Sequence, residues 1–433
     1  MDNNSLFDEF ETSSHQAWKE KIISDLKGKP FEDLLIWEDE NKIQHQPYYT
    51  KSSHPNRALI ENIQNAQKKS KHWRSIQVFD ANSQGSEKQV AESLANGANF
   101  AFINNTKEYK KYTKLKKGDK NIYLLINEID LDHLPKRFLI DPIGNQLKGD
   151  TFASKNLELL PSVFKLRLND LDPDYFLMID GNIYKKAGAT IVQELAYTLQ
   201  HAMEYLDLMT EKGFKASAIA RSFIFKLGYG NSYFSEIAKG RAFQYLLQKL
   251  YSSYHVKNTA IIWGQGSSYY HSHKDPYTNL LRLSSQAMSA ILGNCNLISL
   301  PAYDEHEEAS SLGLRMSKNI PLILREESSF AEVRDPSSGS YYLEQLTAEI
   351  AEKAWNFFLT IEKEGGLLKR FEKGILENEL SASHQARVQT FQGGKRVMLG
   401  VNKFINENKA DLKIKEASFN GIASRIISKD ITT

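Results

Sequence analysis

The sequence predicts a (β/α)₈ barrel of the TIM type with an N-terminal arm and a helical C-terminal extension. Eight short β-branched or aromatic runs alternate with longer amphipathic stretches, the rhythm of repeated βα units rather than hairpins. Together they fill the roughly 250 residues that such a barrel needs. The loop Asp335-Pro336-Ser337-Ser338-Gly339-Ser340 is rich in turn residues, and beyond it only helical periodicity remains. The expected division is an arm over residues 1–72, a barrel over 73–334 and a helical extension over 335–433.

Taken in order, the first roughly 70 residues have mixed polarity and no clean period, which suits an arm or partial wrap. Phe7, Phe10, Trp18, Phe31, Leu34, Leu35 and Trp37 are scattered apolar anchors that predict ordering against a partner surface. The eight strand candidates follow: Trp73–Asp80, Ala98–Ile103, Asn121–Ile126, Arg137–Asp141, Tyr175–Gly181, Ser222–Gly228, Asn258–Gly264 and Asn296–Pro301. Between them Leu195, Leu199, Met203 and Leu206 share one helical face, which should pack on the barrel. In the extension Leu343, Leu346, Ile350, Ala354 and Ile361 form a second stripe.

Composition excludes several function classes. With 41% hydrophobic and 25% charged residues, a chain of 433 residues buries a large core and is not disordered. Lys+Arg 55 against Asp+Glu 53 gives no global attraction to nucleic acid or anionic lipid. The single Cys295 excludes an intrachain disulfide framework and fits a reducing compartment, so a cytoplasmic location is expected. The N-terminus lacks the regions of a signal peptide, and no apolar run reaches the roughly 18 residues of a membrane span.

Candidate chemistry sits where barrel enzymes place it, at strand ends. Asp80, Asp141, Asp180 with Asn182, and Trp263 with Gln265 occupy such positions. Helix capping and turn closure explain strand-end aspartates more simply than catalysis does. His271 and His273 bracket Ser272 and could offer alternate side chains to a metal, but no third ligand is evident, which favours surface or capping roles. Lys107, Lys110, Lys111, Lys114, Lys116, Lys117 and Lys120, interleaved with Tyr109 and Tyr112, imitate a nucleic-acid surface; a solvated helix face is the simpler reading.

The segment Asp180-Gly181-Asn182-Ile183-Tyr184-Lys185-Lys186-Ala187-Gly188-Ala189-Thr190, followed by Glu194-Leu195-Ala196-Tyr197-Thr198-Leu199, resembles the methylmalonyl-CoA mutase pattern SGYHMQEAGAT with ELAYTL. Glu236–Arg241 (EIAKGR), Ala287–Gly293 (AMSAILG) and Asp335–Thr347 (DPSSGSYYLEQLT) extend the likeness, which runs from about Trp73 to Gly374. The resemblance implies a TIM barrel and an adenosylcobalamin-dependent radical isomerisation of methylmalonyl-CoA and succinyl-CoA.

Departures from that pattern fall on its functional positions. The tyrosine and histidine of GYH in catalytic chains align with Asn182 and Ile183, and isoleucine has no polar hydrogen to donate to a thioester carbonyl. Loss of one such preorganised donor typically costs about 2.7–4 kcal/mol in barrier. At the seventh run the family's RTHSQTSG aligns with Ile261–Ser268, so an arginine and a histidine become Ile261 and Trp263 while Gln265 is retained. No counterpart of the family's TIRQYAGF segment is found before Trp73. Asp304-Glu305-His306-Glu307-Glu308-Ala309 falls just short of the cobalt-binding DxHxxG and follows the eighth strand directly, and the sequence after the barrel has no room for a cobalamin-binding domain.

The expected role is therefore the degenerate small (beta) subunit of a heterodimer, with adenosylcobalamin in the catalytic large (alpha) subunit and none bound by this chain. A competing reading is a barrel repurposed for another reaction through Asp80, Asp141, Asp180 and the His271/His273 pair; a third is a regulatory or chaperone-like module. Phe100, Phe102, Phe225 and Trp263 lie in the strand runs, and some must point inward and plug the lumen through which the CoA tail passes in catalytic relatives.

Overall fold

The computed structural model describes residues 13–53, 55–67, 72–83, 85–104, 121–168, 175–257, 260–306, 309–405 and 421–432. Eight parallel strands form one sheet: β1 (Arg74–Asp80), β2 (Phe100–Asn104), β3 (Ile122–Leu125), β4 (Phe138–Leu139), β5 (Leu177–Asp180), β6 (Phe223–Tyr229), β7 (Ile261–Gly266) and β8 (Leu297–Ser299). Their order is β4-β3-β2-β1-β8-β7-β6-β5, and a parallel bridge between Ile140 and Leu177 joins the two ends, so the sheet closes as a barrel. All eight expected runs contain a strand.

Strand periodicity divides the apolar side chains into two sets. Ile76, Phe102, Tyr123, Leu139, Met178, Ile224, Trp263 and Leu297, one from each strand, meet in the lumen. The alternate residues, among them Phe79, Ala101, Ile179, Phe225 and Ile262, belong to the larger core between barrel and helices. Phe100, Phe102 and Trp263 thus point inward, whereas Phe225 points outward onto Phe243, with ring centroids 5.3 Å apart.

The long helix Ile191–Glu211 opens with a capping box made by Thr190 and Gln193 and buries Leu195, Leu199 and Leu206 on its barrel face. Helix Tyr341–Lys363 of the extension buries all five residues of its expected stripe against helices Tyr233–Ser253 and Ile191–Glu211. The segment 421–432 returns to the barrel. Ile422 N–H donates to the Leu147 carbonyl, Arg425 N–H donates to the Lys186 carbonyl, and Ser428 Oγ donates to the His271 carbonyl. It lies across elements that follow β4, β5 and β7, at the C-terminal end of the barrel.

The arm is less uniform than its sequence suggests. Helix His15–Asp25 has no buried residue and Leu34 is exposed, but Trp37 stacks on His45 with ring centroids 3.9 Å apart, Trp18 meets Phe31 and Tyr48, and Phe31 is buried, so part of the anchor set packs on its own chain. A later portion packs on its own chain, which corrects the reading of the whole region as aperiodic. Helix Arg57–Ala66 buries Ile63 and Ala66 against helix Tyr233–Ser253, and Gln67 Nε2 donates to the Arg241 carbonyl. Between these parts, Glu40 forms a bidentate pair with Arg387, at 2.6 and 3.0 Å. Phe7, Phe10 and the lysines between 107 and 120 lie outside the described residues. Among the described residues, no helix is long and apolar enough to cross a membrane.

Candidate functional site at the C-terminal end of the barrel

The strand-end carboxylates bind their own fold. Asp141 caps the helix Pro142–Leu147 through Gly144 N–H and also accepts from His201 Nε2 (2.9 Å), Tyr205 OH (2.8 Å) and Asp180 N–H (3.1 Å). Burial would raise its pKa, but His201 and these donors hold it below the usual carboxylate range. Asp180 accepts from Asn182 N–H and from Lys226 Nζ at 3.2 Å. Burial depresses the Lys226 pKa despite that carboxylate, and the ammonium also lies 4.6 Å from the Trp263 ring centre. Asp80 is exposed and accepts from Asn82 N–H.

Behind them is a buried network that sequence reading did not single out. Lys185 pairs with Glu236 at 3.1 Å, and Lys239 pairs with Glu194 at 3.0 Å and, more closely, with Glu236. The side chains of all four are at most 2% exposed. Two cations and two carboxylates cancel, which lets the group remain inside a low-dielectric interior. Burial alone would raise the Glu236 pKa, but Lys185 and Lys239 hold it low. Gly228 completes the arrangement: its N–H donates to Glu194 at 2.8 Å and its carbonyl accepts from Lys239. A Cβ there would come within 2.1 Å of Asn182 Oδ1, so only glycine lets the helix Asn182–Lys186 approach β6 so closely. Within EIAKGR the i,i+3 spacing of Glu236 and Lys239 was a signal for one pair of this network, but nothing in the sequence joined them to Lys185 or to Glu194 of ELAYTL.

The positions that depart from the family pattern separate by height. Ile261 begins β7 at the N-terminal mouth. Trp263 is fully buried in the lumen, donates from Nε1 to Ser299 Oγ at 2.7 Å and meets Phe102 edge to face at 4.8 Å. Gln265, nearer the C-terminal end, accepts from Asn182 Nδ2 at 3.1 Å. Ile183 packs partly buried against the main core. Of the five positions, only Asn182 and Gln265 are brought together by a hydrogen bond.

His271 and His273 are buried rather than at the surface, contrary to the sequence expectation, because residues 421–432 cover them. His273 Nδ1 meets Ser428 Oγ at 2.9 Å. His271 packs edge to face on His306 at 5.6 Å, and burial, reinforced by nearby cations, pushes its pKa well below the usual histidine range. His306 lies in a turn, and Asp304 Oδ2 accepts from Ser310 N–H, ordering the start of helix Ser311–Glu326. Among the described residues no group of three His, Cys, Asp or Glu side chains converges to hold a metal. Asp80, Asp141, Asp180, His271 and His273 form no such group.

Comparison with known proteins follows the same lines. The family model for methylmalonyl-CoA mutase matches residues 154–429. The methylmalonyl-CoA mutase small subunit of Porphyromonas gingivalis is 29% identical over 462 residues, covering 94% of this chain and 72% of that protein. The large subunit of the same organism is 31% identical over 257 residues, covering 58% of this chain and 36% of that protein. Methylmalonyl-CoA mutase of Cereibacter sphaeroides is 32% identical over 254 residues, covering 58% and 36% respectively. The match to these last two spans little more than a third of their length, whereas the match to the small subunit runs nearly the whole length of this chain.

Proposed function

The chain belongs to the methylmalonyl-CoA mutase family, and we propose that within it this protein is the non-catalytic small subunit of a heterodimer, supporting a catalytic large subunit. The observation that carries this reading is the filled lumen. Trp263 and Phe102 stand across the axis that substrate must traverse in a catalytic barrel, and Trp263 occupies a position where the family pattern has a histidine. At the C-terminal end Asn182 is engaged with Gln265, Asp180 with Lys226 and Glu194 with Lys239.

Adenosylcobalamin belongs, in this reading, to the large subunit. The residues of this chain do not fit a corrin: segment 421–432 lies over the loops where the cofactor would face the barrel, and His306 is packed against His271 in the covered region. No step of the isomerisation runs through this chain. Its contribution is surface, and exposed Ile23, Leu34 and Trp37 in the arm are the apolar side chains best placed to become buried on pairing.

Co-expression with a large subunit tests the reading. The expected result is a one-to-one complex whose cobalamin and isomerase activity both stay with the large subunit after separation. Replacing Ile23→Asp and Leu34→Asp should reduce holoenzyme yield without lowering the melting temperature of this chain. A chain that remains monomeric beside the large subunit at micromolar concentration, or that isomerises methylmalonyl-CoA alone, overturns it.

A further inference from the structure

Segment 421–432 closes over two histidines in contact. His271 is fully buried, and among the described residues neither of its ring nitrogens has a hydrogen-bond partner. Its ring lies 5.6 Å from that of His306, inclined by 74°. His306 donates to the Ser268 carbonyl, and its Nε2 is buried and likewise without a partner among the described residues. The segment is fastened on both sides of this pair: Ser428 Oγ donates to the His271 carbonyl at 2.7 Å, and Arg425 N–H donates to the Lys186 carbonyl at 2.8 Å. We propose that His271 and His306 form a pH-sensitive trigger that releases segment 421–432 from the C-terminal end of the barrel as the pH falls through the ordinary histidine range. This goes beyond the subunit role and does not rest on it.

Local charge sets the direction. The groups that face His271 are His306 from the turn after β8, Arg282 from helix Thr278–Leu292 and Lys186 from helix Asn182–Lys186, and no carboxylate is among them. His306 faces Glu305 beside it, but also Lys186 and His273. A proton on His271 therefore places an unpaired charge in a buried site already bordered by cations, far costlier than the same charge in water. Burial accordingly holds the pKa of both histidines below the ordinary 6.5. Because the closed state has the depressed value of a base, it is fully stable above about pH 6.5. Each pH unit below that favours the open, solvated state about tenfold per histidine, until the closed-state pKa is reached. The segment itself brings Arg425, Lys429 and Asp430. His384 Nε2 meets Asp430 Oδ2 at 2.9 Å, and a proton on His384 tightens that contact, but the aspartate side chain is 42% exposed and solvent weakens the pair. The buried and unpaired His271 outweighs it.

Hydrogen exchange of the full chain, followed by mass spectrometry at about pH 7.5 and about pH 5.5 and corrected for intrinsic exchange, tests this. In peptides spanning 421–432 the open fraction should rise at least about tenfold at the lower pH, while peptides from helix Tyr341–Lys363 keep their protection. His271→Leu, which fills the site without a titratable group, should remove at least about tenfold of that rise, and the double variant with His306→Leu should remove what is left. His271→Asn, neutral and polar, replaces the leucine variant should that one fail to fold. The Glu40 clamp does not contribute in this range, since its stabilisation is lost only below pH 4.5. No rise between the two conditions, a rise shared equally by helix Tyr341–Lys363, or a rise that survives in a folded His271 variant would each overturn the proposal.

Discussion

The two ends of this barrel are built on opposite principles. At the C-terminal end, Asp141, Asp180, Glu194 and Glu236 each meet a cation or several donors, and a segment from the far end of the sequence lies over the loops. At the N-terminal end an aromatic vestibule opens to solvent between two arginines. A barrel enzyme concentrates its reactive groups at the first of these ends. In the proposed reading that end serves as a structural joint, and the cavity at the other end is lined mainly by apolar side chains. On that reading the fold is retained without the requirement to leave polar groups available, and buried polar groups are stabilised by meeting each other.

The most severe test of this contrast removes one member of the buried network. Lys239→Met leaves Glu194 and Glu236 to share the single remaining cation, Lys185, and strips the Gly228 carbonyl of its donor. Uncompensated buried charge of this kind typically costs about 3–5 kcal/mol. Arg74→Gln at the opposite mouth should cost no more than about 0.5 kcal/mol, as exposed substitutions do. Urea unfolding of both variants measures the difference directly, and similar losses would show that the two ends are not energetically distinct.

A somewhat smaller effect should come from the partition between the ends. Trp263→Ala removes the ring that backs Phe102 and leaves Ser299 Oγ without its indole donor. Truncation of a buried tryptophan to alanine costs about 3–5 kcal/mol, and partial collapse of Phe102 into the space places this one near the lower limit. In the folded fraction the vestibule at the N-terminal mouth should deepen toward Ser299 in a crystal structure of the variant. An unchanged vestibule would mean that Trp263 is not what closes the lumen.

Acid should loosen the C-terminal end through Glu40. Burial would raise its pKa, but Arg387 and Arg396 hold it at about 2, against an ordinary 4.5. Because the folded value is the depressed one, its stabilisation is fully present above pH 4.5 and is lost as pH falls from 4.5 toward 2. With the carboxylate about one-fifth exposed, the contribution is on the order of 2 kcal/mol. Arg387 also donates to Tyr269 and to the Gly188 and Ala189 carbonyls, so the clamp ties the arm to elements beyond β5 and β7. Glu40→Gln should therefore be less stable than the parent at pH 6 and approach it near pH 3 in urea titrations; a gap independent of pH would remove the carboxylate from this role.

Much of this architecture was legible because each βα unit announces itself locally. Arg137–Asp141 and Asn296–Pro301 reduce to strands of two and three residues, yet their apolar runs marked them. Which face a residue takes was harder to read. Phe100 and Phe225 look alike in sequence, but strands of a parallel barrel are apolar on both faces, so hydropathy does not fix their parity. Helix Arg57–Ala66 was lost in the average polarity of a region that is half exposed arm and half packed support. His271 and His273 read as surface residues because their cover, Ser428, lies more than 150 residues away in sequence. Likewise, Lys185, Glu194, Glu236 and Lys239 come from three separate helices; the i,i+3 spacing pairs Glu236 with Lys239, but no spacing rule brings Lys185 and Glu194 to them.

The smallest expected effect is none at all. Asn182→Tyr with Ile183→His rewrites the two positions that depart from GYH, and a site that had merely lost two side chains should recover some activity. The surroundings argue otherwise. Asn182 is 2% exposed, hydrogen-bonded to Gln265 and pressed so closely on Gly228 that no Cβ fits there, so a tyrosine ring has to displace Lys185 or Gln265 to enter. Displacing Lys185 strips Glu236 of one of its two cations, and the variant should lose stability before it gains any function. A histidine at position 183 would enter the core between barrel and helices where Ile183 packs, and segment 421–432 would still cover the loops. Groups that act as a unit are not restored one at a time. The isolated double variant, assayed for conversion of methylmalonyl-CoA with added adenosylcobalamin, should remain at background. Measurable turnover would mean that the C-terminal end is a dormant active site rather than a structural joint.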